Sequence, residues 1–453
     1  MPDFATLAGL ISGPVLTPED PEFGPEISGF NLAVVHRPDV VVGITGVDDA
    51  VAAVTFARDN GMHVGMFATG HGSHVPVESG MLVTTGRIDH LSIDPASRIA
   101  TIGAGVQWDV VVAAAAELGL APVAGSSSNV GAVGYLLGGG LGPMSRSFGF
   151  SSDYIREFTL VTADGEVRTV SADENPDLFW ALRGGKGGFG IVTEVRIELL
   201  ELTQLYAGSL IFAEEHVETA MRGWVDYTRT APDDVTTSAA VFHFPPAPQV
   251  PAPFRGRTLL MVRFAFPGDV AVGESLAAPL RALAPVEMDG IRDLAPAEVA
   301  TIHNDPTEPG PAWSRGMLLG AIDQEFVTAL LGFVGPGTQP PIMVTEIRQL
   351  GAATRTDVAG GSAVGGRASD FALALIGAPN PALFAEALPA ATDEVMAGIA
   401  PWISPETNIN YAGHPDEAEF QKSWPPATFA RLAAIRAEVD PQGVFAYGPA
   451  IAG

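Results

Sequence analysis

The chain has 453 residues, enough for about three domains at the ~150 residues typical of each, and its 24 basic and 52 acidic residues leave a formal charge of −28. Only two residues are lysine, Lys186 and Lys422, so a partner held through a phosphate backbone, nucleic acid above all, is excluded. There is no cysteine, which removes disulfides, thiolate metal sites, iron–sulfur clusters, cysteine nucleophiles and any cofactor bond through sulfur.

Hydrophobic residues make up 47% and charged ones 17%, the balance of a globular protein. The N-terminal stretch lacks the basic start and long apolar core of a secretory signal, so a cytoplasmic protein is expected. Leu118 to Ser145 is the longest uncharged window and long enough to raise the question of a membrane, but its many glycines and Ser126, Ser127, Ser128 and Asn129 melt a helix rather than build one. Such backbone suits a large flat or phosphorylated ligand, or a buried glycine-rich turn.

In chain order, an irregular start gives way to an apolar strand, Val40 to Gly43, then a helix from Asp49 to Asn60 capped by Asp48. A strand from His63 to Ala68 ends in the small-residue loop Thr69-Gly70-His71-Gly72-Ser73-His74, so the first unit reads β-α-β with its loop after the second strand. Strands follow at Met81 to Thr84, Leu91 to Ile93 and Ile99 to Gly103, then a helix from Trp108 to Leu118. Ile155 to Thr162 and Glu166 to Ser171 form a hairpin about Ala163-Asp164-Gly165. Asn175-Pro176-Asp177 opens a helix through Leu182, and Gly190 to Leu200 alternates as a strand. From about residue 203 the glycine clusters thin out. Strands are expected at Leu205 to Phe212, Ser238 to Phe244, Thr258 to Phe266, Ile342 to Leu350 and Ala372 to Ile376, in a mixed or antiparallel sheet with helices on one face. The tail carries a helix, Pro426 to Val439, stopped by Asp440-Pro441-Gln442-Gly443.

Gly185-Lys186-Gly187-Gly188-Phe189-Gly190 satisfies the dinucleotide pattern G-x-G-x-x-G, but with a helix before it and a strand after it, the reverse of what a Rossmann pyrophosphate site needs. No Walker loop occurs, His71 and His74 lack the company of a metal site, and Ser126 to Ser128 lack a nucleophile elbow. No metal is expected. Spacing alone leaves function open.

The order of the pieces is more telling: Ala68-Thr69-Gly70-His71-Gly72, then Gly125-Ser126-Ser127-Ser128-Asn129-Val130-Gly131, then Gly138-Gly139-Gly140-Leu141-Gly142, then Asp173 to Gly185, then Phe189-Gly190-Ile191-Val192-Thr193. It resembles the vanillyl-alcohol-oxidase superfamily with its PCMH-type FAD-binding domain, and within it the berberine-bridge-enzyme-like oxidases, over about His36 to Leu200 and again at Asn410 to Tyr447. The resemblance implies an α+β flavoprotein with an FAD-binding domain in two parts, residues 1–203 (its core about 36–203) and 404–453, and an inserted substrate-binding domain at 204–403. It implies FAD contacts from Phe67, Ala68, Thr69, Gly70, His71, Gly72, Ser73 and His74, and from Gly125, Ser126, Ser127, Ser128, Val130 and Gly131. Further contacts fall on Gly134, Tyr135, Gly138, Gly139, Gly140, Leu141, Asp153, Gly190, Ile191, Val192, Asn410 and Tyr447. Relatives attach the flavin through a histidine where His71 stands, and many add a cysteine where this chain has Ser127. A serine makes no thioether, so one covalent bond at most is expected, as in a bacterial, singly attached branch.

The implied activity is oxidation of an alcohol or amine carbon of a small molecule, with hydride passing to flavin N5 and O2 as acceptor. Oxidative cyclisation or dehydrogenation in secondary metabolism, and FAD as support for a non-redox reaction, stay open, as does homo-oligomerisation. The inserted sheet is expected to roof the flavin. On Ile342 to Leu350, Glu346 and Arg348 fall on one face, turned to substrate or to solvent. Tyr411, at a position where relatives often carry an active-site tyrosine, is the candidate base, aided by Arg348 or replaced in that role by Glu346.

Overall fold

A computed structural model describes residues 2–413 and 420–447; residues 414–419 and 448–453, part of the segment expected to return to the first domain, lie outside the described residues. The fold is α+β, as expected, and is built on three main sheets. Val40–Gly43, Met81–Thr84 and Val64–Phe67 pair in parallel, with the short Val15–Leu16 antiparallel at the edge. Strand Val40–Gly43 is buried throughout, as a parallel strand covered on both faces must be. Helix Val47–Asp59 connects it to Val64–Phe67. Its N-cap is Gly46 rather than Asp48. The capping chemistry comes from Asp49, whose carboxylate accepts from the Thr45 and Ser12 amides at 2.9 and 2.8 Å.

The second sheet is antiparallel, in the order Leu91–Asp94, Ile99–Gly103, Ile191–Glu198, Ile155–Val161, Val167–Ser171. The glycine loop before Ile191 is flanked by helix Pro176–Leu182 and this strand, which is the reversed order that rules against a Rossmann site. One apolar core joins both sheets and also takes in Ile409, Trp424, Leu432 and Phe445 from the end of the chain. Within the glycine-rich stretch the chain does form a short helix, Ala132–Leu136, and among the described residues no helix is long and apolar enough to cross a membrane.

The third sheet is antiparallel throughout. Its order is Val286–Asp289, Tyr206–Phe212, Thr258–Phe266, Thr236–His243, Ile342–Gln349, Phe371–Gly377, Ser314–Leu319, with Arg292–Asp293 beside Tyr206–Phe212. Alternation decides its two faces. Val241, Val262, Phe264, Ile347 and Leu373 are fully buried in a core shared with helices Val217–Thr228 and Gln324–Val334. The residues between them, Ser238, Arg263, Glu346, Arg348 and Ala372, point the other way, toward the first two sheets. There Leu318 and Ala372 meet Leu141 and Phe150 in a small cluster against which Tyr411 packs.

Candidate active site

Two mostly half-buried loops lie against each other. The first follows strand Val64–Phe67. Its Gly70 has φ +75°, and a Cβ there would stand 2.6 Å from the Cα of Gly29, so only glycine lets residues 29–31 lie against the loop. The second loop, 125–131, locks onto it: Thr69 Oγ1 accepts from the Gly131 amide at 3.3 Å. Among the described residues the amides of Gly70, His71 and Gly72, and those of Gly125 through Asn129, donate to no protein acceptor. Runs of unpaired N–H groups on turning backbone are an anion seat.

His71 lies between the loops. Its ring stacks on Phe30 with centroids 3.6 Å apart, Nε2 is 3.1 Å from Asn129 Oδ1 and Nδ1 is 3.0 Å from Thr69 Oγ1. Asn129 Nδ2 donates to the Thr307 carbonyl at 2.7 Å, which fixes its Oδ1 as an acceptor. His71 Nε2 therefore carries the proton and Nδ1 keeps a lone pair, met by the Thr69 hydroxyl. Burial pushes the imidazole down to about 4, outweighing the Asn129 bond and Asp305, so the ring is neutral at pH 7.

Above the second loop stands the polar end of the large sheet. Glu346 Oε1 accepts from Arg263 Nη1 at 2.8 Å and Ser238 Oγ at 3.0 Å, and Arg348 Nε donates to Glu346 Oε2 at 2.9 Å. Glu346 and Arg348 do share a face, turned inward and buried rather than to solvent. Burial alone would raise the Glu346 carboxyl, but Arg348, Arg263 and His303 hold it well below the usual carboxylate range. His303 Nε2 is 3.3 Å from Glu346 Oε1 but off the line of a hydrogen bond, so neither ring nitrogen has a well-formed partner. Burial, Arg348 and Arg263 push His303 down to about 4. Two residues on, Asp305 Oδ2 accepts from both Ser126 and Ser127 hydroxyls at 2.7 Å. Burial opposes its ionisation, while His303, Arg348 and the two serines more than offset that.

The guanidinium of Arg348 lies 5.6 Å from the centre of the Tyr411 ring. Arg348 favours the phenolate of Tyr411, but less than burial disfavours it. Burial dominates, and Tyr411 is pushed up to about 12 despite Arg348. Asn410 beside it donates from Nδ2 to the Tyr135 carbonyl at 2.9 Å. Gly138 permits that approach, since a Cβ there would fall 2.1 Å from Asn410 Oδ1.

Other expected contacts fall in different places. Tyr135 sits between Gly125 and Gly140, edge-on to Trp108, with its hydroxyl buried and unpartnered. Ala68, Ser73, His74, Ser128 and Val130 are half-buried along the two loops, and Gly72 and Gly134 are exposed. Gly139 is buried against Val364 and Phe150. Gly190, Ile191 and Val192 are buried where strand Ile191–Glu198 begins. Leu141 is a packing residue under Tyr411. The Asp153 carboxylate pairs with Arg367 at 2.5 Å and accepts from the Phe150 amide at 3.0 Å. The rings of Phe67 and Tyr447 join a separate cluster with Val41, Val77 and Leu82, and Tyr447 donates to the Ser79 carbonyl at 2.9 Å. Arg263, His303, Asp305 and the Asn129 side chain were not among the expected site residues. Only Asn129 had a local signal, its place in the second loop.

Residues 38–171 match the family described as FAD binding domain. They are an FAD-binding domain. (R)-6-hydroxynicotine oxidase of Paenarthrobacter nicotinovorans is 35% identical over 213 residues, 46% of this chain and 46% of that protein. An FAD-linked oxidoreductase of Bacillus subtilis is 28% identical over 235 residues, 50% of this chain and 52% of its own. The aligned stretch thus spans about half the length of these relatives. Around the FAD-binding domain the whole chain shares its fold with 6-hydroxy-D-nicotine oxidase from Arthrobacter nicotinovorans (TM-score 0.83, 24% identity, 97% of this chain and 98% of that one). It shares it equally with the berberine-bridge-enzyme-like protein 1 of Physcomitrella patens (TM-score 0.84, 19% identity, 98% and 97%). The two loops fit FAD on one observation of this structure: their unpaired amides suit a pyrophosphate.

Proposed function

We propose that the chain is an FAD-dependent oxidase acting on an alcohol or amine carbon of a small molecule, with the flavin tethered once, through His71. FAD, when bound, supplies a hydride acceptor at N5 and an outlet for the electrons to O2, giving H2O2. The reading is carried by one juxtaposition: the loops that seat a cofactor lie directly beneath a buried polar cluster, linked to it by the bonds of Ser126 and Ser127 to Asp305.

The residues divide the work by protonation state. Glu346, held as a carboxylate by Arg263 and Arg348, is a weak proton acceptor and serves to fix Arg348. Arg348 stays charged, since its ion pair with Glu346 outweighs burial, and presents hydrogen-bond donors beside Tyr411. Tyr411, a phenol at neutral pH, donates to the heteroatom of the substrate and orients its C–H; an amine would then leave as an iminium ion that sheds no proton in that step, and an alcohol as a protonated carbonyl whose proton passes to water when the product is released. The surrounding burial excludes water from that position.

For the tether, His71 offers a nitrogen lone pair at neutral pH. Ser127 is committed to Asp305 and has no sulfur to give. Anaerobic mixing with a panel of alcohols and amines should bleach the flavin absorbance, and aerobic turnover should release peroxide. A substrate converted with no bleaching in any phase would replace this reading by one in which FAD only supports the site. After denaturation, the peptide around His71 should carry the mass of FAD; an unmodified peptide from flavin-replete protein overturns the tether.

A further inference from the structure

The loop that mimics a dinucleotide fingerprint contains Lys186, which no step above employs. Its side chain turns toward Gly134 and Asn410. Nζ donates to the Gly134 carbonyl at 2.9 Å and to Asn410 Oδ1 at 2.8 Å, leaving one of its three N–H donors over. Both partners are neutral, and no carboxylate pairs with it among the described residues. Lys186 is half-buried, and an ammonium partly withdrawn from water with only neutral partners gains when an anion arrives. The space beyond Nζ belongs to the first loop: a Cβ on Gly72 would stand 3.7 Å from it, next to the unpaired amides of Gly70, His71 and Gly72.

The backbone adds an independent sign. Lys186 has φ +67°, a left-handed conformation in which a side chain costs about 1 kcal/mol or more relative to glycine. Glycines flank it on both sides, yet this position holds one of the chain's two lysines. A protein of net charge −28 repels a polyphosphate at long range, so a local cation has much to offset.

We infer that Lys186 is the charge partner of the FAD pyrophosphate, its ammonium completing the anion seat formed by the amides of the first loop. The pyrophosphate is the cofactor's standing charge, whereas the oxidised flavin ring is neutral. This inference rests on the FAD-binding domain and does not depend on the oxidase reading.

The test is equilibrium binding in a His71→Ala background, so that flavin exchanges freely, with FAD and riboflavin as the two probes and flavin fluorescence as the readout. Lys186→Met should weaken FAD by about 10- to 100-fold, the scale of one lost charge-assisted bond. Riboflavin, which lacks the pyrophosphate, should bind as before. Lys186→Gly guards against misfolding: it relieves the left-handed strain, so the flavin-free chain should melt no lower than its parent while showing the same selective loss of FAD. Equal loss for both probes would place the ammonium against the ring and overturn the inference, as would no loss for either. A background protein that binds neither probe overturns the FAD seat itself, an outcome distinct from those two.

Discussion

At the scale of the residue, the site turns on which groups hold protons. Tyr411, pushed up to about 12, is a donor at neutral pH, and removing its hydroxyl in Tyr411→Phe should slow flavin reduction by about 10²-fold with flavin content unchanged. The pH dependence separates donor from base. A phenolate base would become tenfold more abundant per pH unit up to about 12, so its advantage over the phenylalanine variant would climb between pH 7 and 10. A donor gives a constant ratio over that range, the result we expect from stopped-flow reduction of both proteins. Much of this chemistry was legible in the sequence, because His71, Ser126 and Ser127, and Asn410 with Tyr411 sit in recognisable loops. Arg263, His303 and Asp305 were not, since nothing local marks them: Asp305 meets Ser127 across 178 residues of chain. Nor does sequence weigh burial against a neighbouring charge, so it left open whether Arg348 or Glu346 would serve a phenol that burial keeps protonated.

At the scale of the element, strands were read well and their company was not. Alternation places Thr258–Phe266 and Ile342–Gln349 almost to the residue, and period two puts Glu346 beside Arg348. Short strands such as Val286–Asp289 and Ser314–Leu319 carry too few residues for a period to show. Three strands of the sheet contribute to the Glu346 cluster, and this makes it sensitive to truncation. Glu346→Leu leaves two guanidinium groups buried with no carboxylate between them, and should cost about 3–5 kcal/mol in chemical denaturation. The stretch 304–312 behaves as a seam between the sheet and the FAD-binding domain. Beyond Asp305, the Gly310 amide donates to the Phe30 carbonyl, the Leu32 amide to the Gly310 carbonyl and the Ala312 amide to Asn31 Oδ1, each at 3.0 Å. Asp305→Ala removes two charge-assisted bonds from one end of the seam. Hydrogen exchange at the Gly310 and Leu32 amides should then quicken by about tenfold or more; unchanged exchange would mean that the other bonds hold the seam alone.

At the scale of the whole molecule, two buried histidines set an acid limit. His71 and His303 are both pushed from an ordinary 6.5 down to about 4, so between those values the unfolded chain binds protons that the folded chain refuses. Stability therefore falls as pH drops from 6.5 to 4 and loses nothing more from these groups below that. His303, almost wholly buried, accounts for roughly 1.4 kcal/mol per pH unit. His303→Gln should flatten the decline of melting temperature between pH 6.5 and 4.5; an unaltered slope would place the proton uptake elsewhere. The seam has a consequence for biogenesis. Its side-chain bonds join residues 178 to 281 positions apart in the chain, so a growing chain cannot tie its N-terminal loops to the large sheet until the stretch 304–312 has been made.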